Sequence, residues 1–143
     1  MGLAILFISH WVGDFLLQSR EMGQKKSQDK GILLEHLYII TGVLIIPAIL
    51  VFNNPILSIW FCIANALFHG IIDWYIWRFY KARIIRKYPM YHPEQVKEYK
   101  KLGTIIPEFK YWEREDFYST IGLDQCLHYL TIWFLYKALS GII

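Results

Sequence analysis

Residues 56–77 decide the fold class, and they read ILSIWFCIANALFHGIIDWYIW. A helix needs roughly 20 apolar residues to cross the hydrocarbon core of a bilayer, and this stretch is long enough. Its one formal charge is Asp73, and its one histidine, His69, lies four positions earlier. Residues four apart share a helix face, so the stretch predicts a membrane-spanning helix with a polar pair on one side.

Three further apolar stretches give a total of four predicted spans, at about residues 2–19, 33–52, 56–78 and 118–139. Hydrophobic residues make up 55% of the chain and charged residues only 19%, whereas soluble domains carry about a quarter charged residues. The sequence therefore predicts an all-α integral membrane four-helix bundle, a single domain over residues 1–143 built from two helical hairpins. The first span follows no Lys or Arg and precedes no small-residue cleavage pattern, so we expect it to be retained.

The charges predict a topology. Four basic residues lie between the first two spans, and ten more lie between Arg78 and Phe117. The positive-inside rule places both segments in the cytoplasm, including a long loop over about 79–117. Both termini and the Asn53-Asn54-Pro55 turn are then outside, and Ser119 and Thr120 are expected to cap the fourth span.

The charges also indicate the partners. Anionic inner-leaflet lipids are the expected partner, and the protein could also form a homo-oligomer. A net charge of +3 is too mild to indicate nucleic acid, and two cysteines exclude a disulfide scaffold.

Three of the spans carry a histidine and an aspartate four residues apart. These pairs are His10 with Asp14, His69 with Asp73, and His128 with Asp124. The order of the pair reverses in the fourth span, which also runs in the opposite direction. Measured from the cytoplasmic ends, the histidines lie about nine or ten residues deep and the aspartates about five or six. The spacing therefore predicts a layer of histidines above a layer of aspartates, with His36 entering from the second span.

Imidazole and carboxylate ligands together are typical of sites for zinc, iron(II) or manganese(II). The sequence predicts one or two divalent ions, zinc first, with ligands among His10, Asp14, His69, Asp73, Asp124 and His128. No thiolate is needed, and Cys126 should point away from this face. Hydrogen bonds between histidines and aspartates that hold the bundle together, a proton or ion path, and haem ligation are the alternatives.

The combination of motifs resembles a known family. His10-x-x-x-Asp14-x-x-x-Gln18, His36, His69-x-x-x-Asp73 and Asp124-Gln125-x-x-His128 are similar to an uncharacterised family of small bacterial and phage membrane proteins, a domain of unknown function. The resemblance implies a multi-pass protein of the bacterial inner membrane and implies no activity. The pattern is also loosely similar to membrane-bound metal-dependent hydrolases.

The function expected from these residues is metal-dependent hydrolysis of a phosphoester or ester on a lipid or lipid-linked substrate, from the cytoplasmic side. His36 is a candidate ligand or general base, and Gln18 and Gln125 are candidates to orient substrate. Arg20 or Arg78 is placed to meet a phosphate at the inner surface. The alternatives are an ion, proton or metal transporter, a non-enzymatic protein with a structural metal or polar core, and a di-iron or haem redox protein.

Overall fold

The computed structural model describes residues 2–87 and 115–141. Within them the chain forms five α-helices and no strand, which confirms the all-α prediction. The helices are α1 (Gly2–Trp11), α2 (Arg20–Lys25), α3 (Lys30–Phe52), α4 (Pro55–Lys87) and α5 (Glu115–Ser140), and a π-helical segment (Val12–Leu16) follows α1. The predicted loop over 79–117 is helical at both of its ends, because α4 continues to Lys87 and α5 begins at Glu115. Residues 88–114 lie outside the described part of the chain.

Local side chains explain where the helices begin. Asp29 caps α3, because its Oδ1 accepts hydrogen bonds from the backbone N–H of Gly31 at 2.7 Å and of Ile32 at 3.2 Å. The turn between α3 and α4 is the predicted one. Asn53 adopts the left-handed conformation at φ 47°, and Pro55 is the first residue of α4.

Two boundary predictions were wrong. The first span does not run as one helix over residues 2–19, because the α-helix ends at Trp11, the π segment ends at Leu16, and a new helix starts at Arg20. Ser119 and Thr120 do not cap the last helix. The α5 helix already begins at Glu115, and the Thr120 hydroxyl donates to the carbonyl of Asp116 four residues earlier, at 2.7 Å.

The four longer helices pack around a common interior. The α3 helix contacts α1 and α4, and α5 contacts α4 and α1. Each buries a narrow stripe, which is clearest in α3, where every fourth residue is buried: His36, Ile40, Leu44, Ala48 and Phe52. One part of the interior is therefore apolar, with Leu6, Phe61 and Ile132 completely buried against this stripe, and the other part is polar.

Two helices are long and apolar enough to cross a membrane by length and composition, over Lys30–Phe52 and Pro55–Ile84. The apolar stretch Gly2–Leu16 is shorter, and α5 is not among the two. Large apolar side chains cover much of the outer surface, among them Tyr38 (74% exposed), Leu50 (72%) and Ile46 (65%).

Gly13 allows the π segment to approach α3 closely. A Cβ at this position would lie 2.8 Å from Cδ1 of Ile40, a side chain that is 1% exposed. We expect Gly13→Ala to lower the free energy of unfolding by about 1–3 kcal/mol, because the buried Ile40 has little room to move. Thermal unfolding followed by circular dichroism measures the effect.

Gly42→Ala is the matched control, because a Cβ there meets nothing within 4 Å. Alanine is favoured over glycine inside a helix by about 0.5–1 kcal/mol, so this variant should unfold at or above the wild-type temperature. Equal unfolding temperatures for the two variants would contradict the close approach at Gly13.

Candidate metal centre

The polar part of the interior brings together the seven His and Asp residues that the sequence predicted to converge. They come from α1, the π segment, α3, α4 and α5, and each is at most 3% exposed: His10, Asp14, His36, His69, Asp73, Asp124 and His128. The i, i+4 spacing therefore places all three pairs and His36 in one buried cluster, which we call the His/Asp cluster.

The four histidines lie side by side. The rings of His69 and His128 stack with their centroids 4.0 Å apart. His10 lies with its ring centroid 5.1 Å from that of His69 and 5.0 Å from that of His128. His36 approaches from α3, and its Nε2 lies 2.9 Å from Nε2 of His69. Several imidazole nitrogens thus converge on a small volume.

Asp73 is the central carboxylate of the cluster. Its Oδ2 lies 3.0 Å from Nε2 of His69 and 3.3 Å from Nε2 of His36. Its Oδ1 lies 3.7 Å from Nε2 of His128, which is also 3.6 Å from Oδ1 of Asp124. The carboxylates of the cluster therefore contact its histidines directly.

A π turn brings Asp14 into the His/Asp cluster. The backbone N–H of Leu17 donates to the carbonyl of Val12, five residues earlier, at 3.1 Å. Single π turns inside helices occur frequently at functional sites, because the extra residue re-aims the side chains around it. Here Asp14 Oδ1 lies 3.2 Å from Nε2 of His36. The sequence carried no signal for this turn.

Lys26 also lies in the site, although no spacing pattern in the sequence predicts it there. It follows the last residue of α2, is 3% exposed, and places its Nζ 2.8 Å from Oδ1 of Asp73 and 3.2 Å from Oδ1 of Asp14. Burial by itself lowers the pKa of the lysine, but the surrounding carboxylates, Asp73 first, outweigh it and raise the pKa above its usual value. Lys26 is therefore a buried ammonium group inside the His/Asp cluster.

Gln18 and Gln125 both line a cavity beside the cluster, which has a volume of about 410 Å³. Gln125 also donates from Nε2 to Oδ2 of Asp14, so it positions a carboxylate. The predicted role of the two glutamines in orienting a substrate stays a prediction. The cavity reaches the cluster at Asp14 and Asp124, and Lys26 lines it beside them. The rest of its lining includes basic and aromatic side chains: Arg20, Lys81, Phe15, Trp77 and Phe117.

The residues present fit a divalent metal ion. Three groups place their ligand atoms within 4.8 Å of one another: His10 with His69 and His128, Asp14 with His36 and His69, and Asp14 with Asp124 and His128. Both ring nitrogens of His10 are buried and have no hydrogen-bond partner among the described residues. An unpaired buried imidazole is costly unless a metal or another group satisfies it, and nitrogen and oxygen donors suit zinc, iron or manganese. Cys126 is exposed, as expected, and Cys62 lies in the apolar core.

A protein-family model matches almost the whole chain. The family model of DUF3307, described as a protein of unknown function, matches residues 3–142. The chain belongs to the DUF3307 family. No curated protein and no solved structure matches it. Membership in DUF3307 therefore confirms the resemblance to an uncharacterised family.

Gln125→Leu tests how the cluster is held. The change removes the donor to Asp14 and leaves a buried carboxylate with one hydrogen bond fewer. We expect a loss of about 1–3 kcal/mol in the free energy of unfolding, measured by thermal unfolding. Cys126→Ala, on the exposed side of the same helix, should leave the unfolding temperature unchanged. A Gln125→Leu protein as stable as Cys126→Ala would show that this hydrogen bond does not position Asp14.

Proposed function

We propose that this protein is a metal-dependent hydrolase of the bacterial inner membrane that acts on a lipid or lipid-linked phosphoester or ester from the cytoplasmic side. The observation that carries the proposal is the juxtaposition of a buried His/Asp cluster with a cavity lined by basic and aromatic residues. A hydrolytic metal site needs both features, because the substrate has to reach the metal.

Histidine and carboxylate side chains would hold the metal. His10, His69 and His128 are the proposed ligands, and Asp14, Asp73 and Asp124 are ligands or hydrogen-bond acceptors that orient the imidazoles. A divalent ion bound there supplies an activated water molecule and polarises the bond under attack. Zinc is the first choice, and iron or manganese are the alternatives.

The remaining residues bind the substrate and handle protons. His36 contacts both Asp14 and His69, so it serves either as a ligand or as a general base that accepts a proton. Arg20 and Lys81 line the cavity and match the charge of a phosphate group. Trp77 also lines the cavity, and its indole N–H is buried and has no hydrogen-bond partner among the described residues.

Several features support a membrane location. The large exposed apolar residues of α3 and α4 would face lipid, and the polar residues lie inside. Hydroxyl groups on the helices bond to their own backbone, as they must in lipid: Thr41 donates to Leu37 at 2.7 Å and Thr131 to Leu127 at 2.9 Å. We therefore propose four spans with both termini outside and the cavity at the cytoplasmic end.

The apolar half of the interior favours an enzyme over a transporter. Transport needs a polar route on both sides of the site. In the described residues, one side of the cluster leads to the cavity, whereas the other is filled by completely buried apolar side chains, Leu6, Leu44 and Ile132 among them. A one-sided site suits a substrate that enters and leaves by the same opening.

Metal content is the first test. Protein purified in mild detergent, without chelator or nickel resin, should carry about one or two zinc, iron or manganese ions per chain by elemental analysis. His69→Ala/Asp73→Ala should carry none, and Asp29→Asn, which changes an exposed aspartate outside the cluster, should keep the wild-type content. Folding is checked by circular dichroism, and no metal in folded wild-type protein would overturn the hydrolase proposal.

Activity is the second test. Metal-loaded protein in mixed micelles is given a lipid phosphomonoester, a lipid phosphodiester or an acyl ester, and released phosphate, headgroup or fatty acid is measured. We expect hydrolysis of at least one of these, and a loss of more than about tenfold in His36→Gln with metal retained if His36 is the base. Metal-loaded protein that hydrolyses none of them would leave a structural metal as the better explanation.

A further inference from the structure

We propose that the ammonium group of Lys26 occupies the second cation position of the His/Asp cluster, so that the protein binds one divalent metal ion and not two. This inference rests on the metal centre proposed above. It decides between one and two ions, and it assigns the bound ion to the three-histidine group formed by His10, His69 and His128.

The ammonium group of Lys26 lies where a metal ion would lie, among side chains that could bind one. Its Nζ lies within 3.3 Å of three atoms that could also bind a metal ion: Oδ1 of Asp73 at 2.8 Å, Oδ1 of Asp14 at 3.2 Å and Nε2 of His36 at 3.3 Å. Two of these residues, Asp14 and His36, belong to one of the three groups of candidate metal ligands. An ammonium group and a metal ion cannot share these atoms, so Lys26 excludes an ion from that group.

The three-histidine group is the one that Lys26 leaves available. In the described part of the chain, Lys26 forms hydrogen bonds and ion pairs with Asp14, His36 and Asp73 and with none of the three histidines, whereas the other two groups both use Asp14. Three histidines with one open position form a typical catalytic zinc site, because the fourth position binds water or substrate.

The charge balance points the same way. Asp14, Asp73 and Asp124 lie together in a buried site, and with all three ionised they contribute three negative charges. Lys26 and one divalent ion carry three positive charges, and the site is neutral with the histidines uncharged. A second divalent ion beside Lys26 would leave two uncompensated positive charges, which is costly where water is excluded.

The segment that carries Lys26 is fixed in place. The backbone N–H of Lys26 donates to the carbonyl of Met22 at 2.9 Å, which ends α2. Lys81 of α4 donates to the carbonyl of Gln24 at 2.7 Å and to the hydroxyl of Ser27 at 3.1 Å. These contacts on both sides of Lys26 show that its entry into the cluster is built into the fold.

Metal stoichiometry at saturation tests the proposal. Purified protein is titrated with Zn²⁺, and bound ions per chain are measured by elemental analysis after removal of free metal. We expect one ion in the wild type, one in Lys26→Arg, which keeps the charge, and two in Lys26→Ala, because Asp14, Asp73 and His36 become available. Lys25→Ala is the matched control, since Lys25 is exposed and its ion pair in the described residues is with Glu21, and this variant should bind one ion.

A second measurement uses the wild type alone, in case Lys26→Ala does not fold. Mn²⁺-loaded wild-type protein should give the electron paramagnetic resonance spectrum of an isolated ion and not that of a coupled pair. Two ions in the wild type, or a folded Lys26→Ala protein that binds a single ion, would overturn the role of Lys26 and leave the proposed hydrolase standing. A wild type that binds no metal would overturn both.

Discussion

Three carboxylates buried in one place are the constraint on which the rest of the structure depends. Asp14, Asp73 and Asp124 are each at most 3% exposed, and charges so close together repel one another unless cations lie between them. Among the described residues, Lys26 supplies one cation, and four histidines offer nitrogens that could hold a further one. The cluster therefore determines where along each helix the buried residues change from apolar to polar.

That requirement explains the irregular course of the chain between α1 and α3. A regular helix through residues 2–19 would carry the chain past the cluster. The π turn and the break before Arg20 let α2 fold back instead, so that Lys26 enters beside Asp14. The close approach of Gly13 to Ile40 belongs to the same arrangement, because it brings the π segment against the helix that carries His36.

The convergence of the seven His and Asp residues could be predicted because it depends on helix periodicity alone. The i, i+4 spacing and the reversed order in the last pair fix the face and the level of each side chain. Lys26 could not be found in this way, because it lies outside any long helix and resembles the neighbouring Lys25, which is exposed. Thr120 was misassigned because a hydroxyl near an apolar run is favourable both at a helix start and as a donor to the preceding turn.

The interior is apolar on one side of the cluster and open on the other, so the proposed site is accessible from one side. On one side of the cluster, apolar side chains from α1, α3, α4 and α5 close the space between the helices, and on the other side a cavity of about 410 Å³ opens between Arg20, Lys81 and Trp77. Lys26 lines that cavity and contacts two carboxylates of the cluster, so it connects the cavity wall to the cluster. In the proposed hydrolase, an anionic headgroup that approaches along the cytoplasmic face would meet the same lysine that we propose limits the metal content. One residue would thus link the charge of the substrate to the composition of the metal centre.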